Sequence, residues 1–304
     1  MSARVIVPAS SANIGPGYDA FGLALGVYNE LEGELADEWG IEVGGEGAGR
    51  LSRGADNAVL RAMQRVFAEA GRPGLKAEVT CHNGIPVGRG LGSSSSAIVG
   101  GLVLADELLG LRLGAERLLQ LAHELEGHPD NVAAALRGGF VIASVIDGAV
   151  RCTHIDPADG LAAIVVVGEE ELPTGDARSV LPEFVPHADA ASNAASAALL
   201  AYGIATGSAA DIAAGMRDAI HERYRAVLVP DMAAVTGLLE TIGAGPAVLS
   251  GAGPSMLALV PGTSDARALE RARHLAEMAR TALSGLRRGR VLALPVDRLG
   301  ARVV

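Results

Sequence analysis

The segment Pro86–Ala97, PVGRGLGSSSSA, constrains the fold of this chain more than any other part of the sequence. Glycine alternates from Gly88 to Gly92, four serines follow, and the pattern over Ser93–Leu109 predicts a helix. Glycine lets the backbone approach a ligand closely, and a helix N-terminus offers free N–H groups to a phosphate. A glycine-rich turn alone fits a flexible loop equally well. The full string is more specific, and it predicts a phosphate-binding turn whose serines cap the helix.

Lys76 is the only lysine in the chain. A Walker A loop, the ATP-binding lysine of protein kinases and a pyridoxal Schiff base each need a lysine in a particular context. Lys76 lies in PGLKAEV, with no glycine-rich loop or helix start beside it. These classes are therefore mostly excluded, and backbone amides rather than a lysine are expected to hold a phosphate.

The composition predicts a cytoplasmic protein that binds neither nucleic acid nor membrane. The 304 residues carry a formal net charge of −10 and no run rich in basic residues, whereas a duplex-DNA binder needs a basic face. No stretch approaches the ~20 apolar residues of a membrane helix, and the N-terminus lacks a signal-peptide pattern. The two cysteines, Cys81 and Cys152, fit a reducing compartment better than a disulfide framework.

Strand and helix patterns are mixed along the whole chain, which predicts an α+β fold. The length suits two domains, with a boundary near residues 150–160. A loop rich in glycine, serine and proline is expected from Pro8 to Gly17. Strands are predicted at Arg4–Val7, Leu75–Cys81, Phe140–Val145, Leu161–Val167 and Arg290–Val296, and helices at Ser93–Leu109, Ala190–Tyr202, Ala210–His221, Met232–Ile242 and Asp265–Ala282.

The segment His123–Asn131, HELEGHPDN, contains a candidate metal ligand. Zinc is disfavoured, because His128 follows His123 at i+5 and the two do not share a helical face. Glu126 is expected at a helix end, where the helix dipole disfavours an anion, and a bound cation would explain it. Mg²⁺ in phosphoryl-transfer sites is usually held by one or two protein oxygens plus phosphates and waters. The alternative is a solvated glutamate at a frayed helix end.

Two more loops have patterns that suit ligand contacts. In Pro8–Leu25, PASSANIGPGYDAFGLAL, Asn13 and Asp19 are polar points in a loop after a strand. An Asx-turn and a helix cap are the alternatives for these two residues. Ser250–Ser255, SGAGPS, lies between two apolar strand-like runs. Its backbone is expected to pack against the first loop or to touch a ligand, and a tight β-turn is the simpler alternative.

Together and in this order, these segments resemble the GHMP kinases, a family named for galactokinase, homoserine kinase, mevalonate kinase and phosphomevalonate kinase. The family's three motifs match Pro8–Leu25, Pro86–Ala97 and Ser250–Ser255, so the resemblance spans nearly the whole chain. It implies an N-terminal domain like domain 2 of ribosomal protein S5 over residues 1–155. A ferredoxin-like C-terminal domain is implied over residues 156–304. ATP is then expected between the domains, with its phosphates on the second motif.

The resemblance implies the nucleotide and metal positions residue by residue. Ser94, and with it Ser93, would contribute a hydroxyl to Mg²⁺ or phosphate, and Glu126 would be the acidic Mg²⁺ ligand. Asn57, in GADNAVLRA, matches a position in the adenine pocket. The implied ATP-binding residues are Asn57, Pro86, Gly88, Arg89, Gly90, Leu91, Gly92, Ser93, Ser94 and Ser95.

Within the family, the stretches SANIGPGYDAFGLAL, EGHPDNVA and HERYRAVLVP resemble homoserine kinases. This implies ATP-dependent phosphorylation of the hydroxyl of L-homoserine and suggests a homodimer. Ala134, where these kinases often have proline, is a departure that touches no chemistry. The implied substrate-binding residues are Asn13, Asp19, His128, Asp130, Arg178, Arg225 and Gly251, and the implied catalytic residues are Asn131, Glu126, Thr174 and Arg178.

Asn131 is the position that separates the family members by chemistry. Mevalonate kinase and galactokinase have an aspartate there, usually interpreted as a general base, whereas homoserine kinases have asparagine. Asparagine cannot accept a proton near neutral pH, so we expect Asn131 only to orient the attacking hydroxyl. The proton then leaves late, to the γ-phosphate or to Asp19, and the sequence does not decide between them.

Three alternatives are weaker. A family member that acts on a sugar or an isoprenoid alcohol would not explain the pair Arg178 and Arg225, which suits the carboxylate of an amino acid. An ATP-binding regulator without activity should have lost Glu126 or the serine loop. A flavin or nicotinamide enzyme needs G-x-G-x-x-G directly after a strand, with an acidic residue about 20 positions further on. In this chain the glycine-rich loop is followed by four serines instead.

Overall fold

The computed structural model of the chain describes residues 2–283 and 288–304, which form two β-sheets and a set of helices. The strands of the first sheet are β1 (Ser2–Asn13), β2 (Gly17–Ala36), β3 (Gly40–Gly45), β4 (Lys76–Asn83), β5 (Phe140–Ile146), β6 (Ala149–Ile155) and β11 (Arg302–Val303). Those of the second are β7 (Leu161–Gly168), β8 (Ala247–Leu249), β9 (Met256–Pro261) and β10 (Arg288–Pro295). The helices are α1 (Ala58–Glu69), α2 (Ser93–Leu109), α3 (Gly114–Glu126), α4 (Asp130–Arg137), α5 (Thr174–Ser179), α6 (His187–Thr206), α7 (Ala209–Gly215), α8 (Glu222–Arg225), α9 (Met232–Thr241) and α10 (Asp265–Ala282).

The first sheet is built around a long antiparallel hairpin of β1 and β2. The order is β11-β1-β2-β4-β3, and β5 joins β2 and carries β6 on its other side. In β4 the alternating sequence decides which face of the strand points into the core. Ala77, Val79 and Cys81 are buried, and the residues between them are not. Helix α2 packs against this sheet and α1, and at Gly101 the missing Cβ allows close contact with the Val59 carbonyl.

The second sheet is antiparallel in the order β10-β7-β9-β8 and is covered on both faces. β7 is buried along its whole length, because alternate side chains enter two different cores. Ala163 and Val165 pack in a cluster with Leu200 of α6, whereas Ile164 and Val166 belong to the cluster of α9 and α10. A strand covered on both faces needs such a continuous apolar run.

The two sheets share an apolar core. Leu23 of β2 and Phe140 of β5 belong to the same buried cluster as Val165 of the second sheet. At the end of the chain, β11 returns to pair with β1 of the first sheet. The two halves of the molecule are therefore joined both by packing and by strand pairing.

The predicted α+β class is confirmed, and the helices Ser93–Leu109 and Asp265–Ala282 have the predicted ends. The flanking glycines explain the first of these, since Gly92 and Gly110 both have left-handed backbones. The domain boundary between residues 155 and 156 stays a prediction, and it falls between β6 and β7.

Two expectations about local structure are wrong. β1 does not end at Val7 but continues to Asn13, with two register shifts along its pairing with β2. The helix predicted to reach His221 ends at Gly215. Beyond it, one carboxylate oxygen of Asp218 accepts hydrogen bonds from three successive backbone N–H groups over 2.7–3.1 Å and so stabilises a turn.

Candidate active site

A cleft of about 470 Å³ is lined by segments from both halves of the molecule. These segments are the end of β1 and the start of β2, the glycine-rich turn before α2, the junction of α3 and α4, α5, α8 and the loop after β8. Pro86 is buried and does not line the cleft. The predicted site residues that line it are Asn13, Asp19, Asn57, Gly88, Arg89, Gly90, Leu91, Gly92, Ser93, Ser94, Ser95, Glu126, His128, Asp130, Asn131, Thr174, Arg178, Arg225 and Gly251.

The glycine-rich turn requires glycine for both conformation and packing. Gly88, Gly90 and Gly92 have φ angles of 67°, 75° and 67°. A Cβ on Gly90 would lie 2.1 Å from the Ser250 carbonyl oxygen, and a Cβ on Gly92 would lie 2.1 Å from Ser10 Oγ. Gly92 is also the N-cap of α2, which has no side-chain cap, so the expectation that the serines cap this helix is wrong. Uncapped N–H groups of a first helical turn can receive an anion.

The hydroxyls of Ser94 and Ser95 instead donate hydrogen bonds to Glu126. Ser94 Oγ donates to one carboxylate oxygen over 3.1 Å, and Ser95 Oγ donates to the other over 2.6 Å. Glu126 is the last residue of α3, and Gly127 ends that helix with a φ of 89°. The end of α3 is thereby fastened to the start of α2, with a carboxylate and two hydroxyls gathered at one point of the cleft.

Asn131 lies in the first turn of α4, and its amide faces the glycine-rich turn. Its Oδ1 accepts a hydrogen bond from Ser10 Oγ over 2.9 Å. Among the described residues no acceptor is bonded to Nδ2, so its two N–H groups are available to a ligand. The sequence does not single out Ser10, which lies in the segment expected to be a loop and is in fact part of β1.

Asp130 is an almost fully buried carboxylate beside Asn131. It accepts a hydrogen bond from the Asn131 backbone N–H over 2.7 Å, and a ring nitrogen of His128 lies 4.0 Å away. Burial raises the pKa of Asp130 above its ordinary value. A cation bound in the cleft would favour the ionised carboxylate again.

The loop after β1 is held by Asn13. Asn13 and Asp19 have left-handed backbones, with φ of 66° and 53°, which non-glycine residues adopt only under local constraint. Asn13 Nδ2 donates to the Gly251 carbonyl oxygen over 2.7 Å, and its Oδ1 accepts from the Asp19 N–H over 3.0 Å. Gly251 N–H donates to the Ala12 carbonyl over 2.9 Å. The expected packing of Ser250–Ser255 against the first loop is therefore confirmed.

Arg178 and Asp19 form a bidentate ion pair. The two hydrogen bonds measure 2.7 and 2.9 Å, and Arg178 also donates to the Tyr18 hydroxyl over 2.9 Å. Donating these hydrogen bonds to the Asp19 carboxylate raises the pKa of Arg178. Both side chains are a little over one-third exposed, so the pair lies at the rim of the cleft.

Arg225 is buried more deeply, with 1% of its surface exposed. Its Nε donates to the Ala177 carbonyl over 3.1 Å, and its Nη1 donates to the Gly251 carbonyl over 3.2 Å. The guanidinium carbon lies 5.4 Å from the centre of the Tyr18 ring. Among the described residues no carboxylate forms a salt bridge with Arg225. Tyr18, which contacts both arginines, was missed, although an aromatic residue inside a glycine-rich loop is a usable signal.

One part of the cleft wall is apolar. Leu51, Val59 and Cys81 line it, and burial raises the pKa of the Cys81 thiol to about 12. Asn57 lies there as well, but its side chain serves the fold. Its Oδ1 caps α1 by accepting from the Val59 N–H over 2.9 Å, and its Nδ2 donates to the Ser52 carbonyl over 2.7 Å.

Comparison with known proteins identifies the family. Residues 57–139 match the GHMP kinases N terminal domain, and residues 196–277 match the GHMP kinases C terminal domain. The chain belongs to the GHMP kinase family. The homoserine kinase of Streptomyces coelicolor is 44% identical over 260 residues, which cover 84% of each chain. That of Moorella thermoacetica is 42% identical over 259 residues, covering 85% of this chain and 87% of the relative. Within the family, these similarities place the chain with the homoserine kinases.

Solved structures agree with this assignment. The homoserine kinase from Cytophaga hutchinsonii matches with a TM-score of 0.87 at 29% identity, over 100% of this chain and 97% of that one. A putative homoserine kinase from Listeria monocytogenes matches with a TM-score of 0.79 at 32% identity, over 99% of each chain. The predicted two-domain GHMP kinase fold is thereby confirmed.

No helix within residues 2–283 and 288–304 is both long enough and apolar enough to span a membrane.

Proposed function

We propose that this chain transfers the γ-phosphate of ATP to the side-chain hydroxyl of L-homoserine. The observation that carries the proposal is a pair of buried, oppositely charged side chains facing one cleft: Arg225 is 1% exposed and Asp130 is 3% exposed. A free amino acid carries a carboxylate and an ammonium, and each needs a partner of opposite charge when it leaves water. The homoserine kinases among the relatives support the same substrate.

In this proposal the glycine-rich turn and the start of α2 bind the phosphates of ATP. Backbone N–H groups and the positive end of the helix dipole suit them, and Lys76, the single lysine of the sequence, is not among the described residues that line the cleft. The apolar wall with Leu51, Val59 and Cys81 suits the adenine ring. Asn57 would shape that wall through its helix cap rather than read the base, because both ends of its amide are already bonded.

The oxygen atoms of Ser94, Ser95 and Glu126 fit Mg²⁺, which prefers hard oxygen ligands. Ser94 and Glu126 would hold the ion, and phosphate oxygens and water would complete its shell. Among residues 2–283 and 288–304 no three histidine, cysteine or acidic side chains form a metal cluster, which fits an ion bound largely through the nucleotide. When bound, Mg²⁺ neutralises charge on the phosphates.

The transfer itself needs mainly positioning. The homoserine hydroxyl oxygen attacks the γ-phosphorus, a new O–P bond forms, and the bond to the β–γ bridging oxygen breaks to release ADP. Asn131 would orient the hydroxyl through its Nδ2 donors, while Ser10 holds the amide by its hydrogen bond to Oδ1. Asp19 is held in a bidentate ion pair with Arg178, and we assign the hydroxyl proton to a phosphoryl oxygen, as suits a loose transition state in which the proton leaves late.

The test is a coupled ADP-release assay with L-homoserine, mevalonate, galactose and shikimate as acceptors. ADP should form only when Mg²⁺ and L-homoserine are both present. Equal or faster turnover with mevalonate or galactose would assign the chain to the alternative, a GHMP kinase for an isoprenoid alcohol or a sugar. The homodimer and the cytoplasmic location stay predictions, and light scattering after size-exclusion chromatography measures the first.

A further inference from the structure

His221 contacts Arg225 of the cleft wall through one ring nitrogen and the loop between β1 and β2 through the other. It is 1% exposed and immediately precedes α8. Nδ1 lies 3.2 Å from Nη1 of Arg225, and Nε2 lies 2.8 Å from the carbonyl oxygen of Gly15 in the loop after β1. This histidine is the first residue of the HERYR stretch, and none of the chemistry described above uses it.

The partners of His221 determine its protonation state. A guanidinium N–H can only donate, so Nδ1 must accept and carries no proton. A carbonyl oxygen can only accept, so Nε2 carries the proton. The imidazole is therefore the neutral Nε2–H tautomer. Burial, which lowers the pKa of His221, acts in the same direction.

The other groups that face the imidazole do not change this assignment. Asp218 Oδ1 lies 3.5 Å from Nε2, on the side that already carries the proton. The Tyr18 ring centre lies 5.2 Å from the imidazole centre. Burial raises the pKa of the Tyr18 hydroxyl. Asp19 acts on His221 only through its charge, and that charge is paired with Arg178.

The hydrogen bonds of Arg225 show what His221 contributes. Nε is bonded to Ala177, and Nη1 is shared between Gly251 and His221. Within residues 2–283 and 288–304, no acceptor is bonded to Nη2. The guanidinium of Arg225 is thus held by three of its N–H groups, and the N–H groups of Nη2 remain available to a ligand in the cleft.

We propose that His221 is a positioning residue for the phosphoryl transfer, because its unprotonated Nδ1 fixes the guanidinium of Arg225 so that Nη2 can receive the substrate carboxylate. The proposal rests on the proposed function, since it assigns the carboxylate to Arg225. It predicts that the two ring nitrogens differ in importance. Nδ1 affects homoserine binding through Arg225, whereas Nε2 only fastens the loop at Gly15.

A matched pair of variants separates the two nitrogens. His221→Asn places an amide oxygen near the position of Nδ1, and His221→Gln places its amide near the position of Nε2. Loss of one hydrogen bond to a charged group corresponds to about a ten- to hundredfold change in affinity. We expect His221→Gln to raise the KM for L-homoserine by about that factor, His221→Asn to stay within about threefold, and both to keep the KM for ATP. His274→Gln, on the exposed side of α10, is the control. An unchanged homoserine KM in His221→Gln would overturn the proposal.

Two further measurements keep the proposal testable if a variant folds poorly. In an Arg225→Ala background, His221→Gln should add less than about a twofold further increase in homoserine KM, because the two residues act as one unit. Increases that multiply would show that His221 acts on its own. In the unmodified protein, the ¹⁵N imidazole spectrum at pH 7.5 should show His221 as the Nε2–H tautomer, and an Nδ1–H form would overturn the proposal without any substrate. Failure of the wild-type chain to phosphorylate homoserine would instead overturn the proposed function.

Discussion

The carboxylate of Glu126 accepts a hydrogen bond from Ser95 Oγ over 2.6 Å, which joins the end of α3 to the first turn of α2. A negative charge at the C-terminal end of one helix is disfavoured by that helix, yet it is favoured beside the N-terminus of the next. Glu126 lies at such a junction. It occupies a place where a cation and a phosphate can both be bound.

Glu126→Gln tests the proposed metal ligand. Glutamine keeps a hydrogen-bond acceptor for the serine hydroxyls but removes the charge, so the fold should survive. Loss of a metal ligand removes several kcal/mol of transition-state stabilisation, so kcat should fall by about a hundredfold or more. Steady-state kinetics across Mg²⁺ concentrations and thermal unfolding measure the two effects. Glu124→Gln, on the same helix but outside the cleft, is the control, and a near-normal kcat in Glu126→Gln at ordinary Mg²⁺ would contradict the assignment.

Asn131→Ala tests orientation without a general base. Misplacing the hydroxyl by about 1 Å costs on the order of a hundredfold in rate, so kcat should fall by about that factor. Ser10→Ala should cause a smaller fall, about tenfold, because it only frees the Asn131 amide to rotate. Ser96 Oγ is buried and has no hydrogen-bond partner among the described residues, so Ser96→Ala is a matched control. The pH–rate profile should keep its shape in Asn131→Ala, and loss of its acidic limb would show that a base had been removed.

Local patterns predicted those elements whose ends are marked in the chain. Gly92 and Gly110 bracket α2, and Ser264 caps α10 through the Arg267 N–H. β2 was missed because its 20 residues contain glycines and acidic residues, and it is stabilised by pairing with the preceding strand β1 and with β4 and β5, which lie far along the chain. Propensity does not report such long-range pairing.

The site was predicted as a set of residues but not as a set of contacts. The motif resemblance named Asp19, Arg178 and Arg225, and it treated the two arginines alike. In the structure Arg178 is paired with Asp19, 159 positions away in the chain, whereas Arg225 has only neutral partners. Which cation remains free for a substrate depends on this tertiary pairing, and no local pattern encodes it.

Gly92→Ala tests the close approach at the glycine-rich turn. Gly92 and Gly110, at the two ends of α2, have φ of 67° and 61°, so alanine at either costs roughly 1–2 kcal/mol of backbone strain. Only at Gly92 would the added Cβ also lie 2.1 Å from Ser10 Oγ, while at Gly110 it meets nothing within 4 Å. Both variants should therefore lose stability in thermal unfolding, but only Gly92→Ala should lose ATP affinity and kcat. Equal activity in the two variants would show that the turn tolerates a side chain.

Glu222 is a buried carboxylate outside the cleft chemistry, and its titration should appear in the stability of the protein. It accepts a hydrogen bond from the Leu249 N–H over 2.5 Å, and burial raises its pKa to about 8. In the unfolded chain the pKa is that of an ordinary glutamate, about 4.3. Between these two values the folded chain keeps a proton that the unfolded chain has released.

Glu222→Gln tests this linkage with its sign. Since the folded state binds more protons between about pH 4.3 and pH 8, the contribution of Glu222 to stability is complete below that range and is lost as pH rises through it. Glutamine cannot ionise and can accept the same Leu249 hydrogen bond, so the variant should not show this loss. The free energy of unfolding of Glu222→Gln relative to wild type should therefore increase from pH 5 to pH 8, by at most about 1.4 kcal/mol per pH unit, and level off above pH 8. Urea unfolding at pH 5, 6.5, 8 and 9 measures the difference, with the exposed Glu183→Gln as a control whose curve should run parallel to wild type. A constant difference between Glu222→Gln and wild type over this range would mean that Glu222 is already ionised in the folded protein at pH 5.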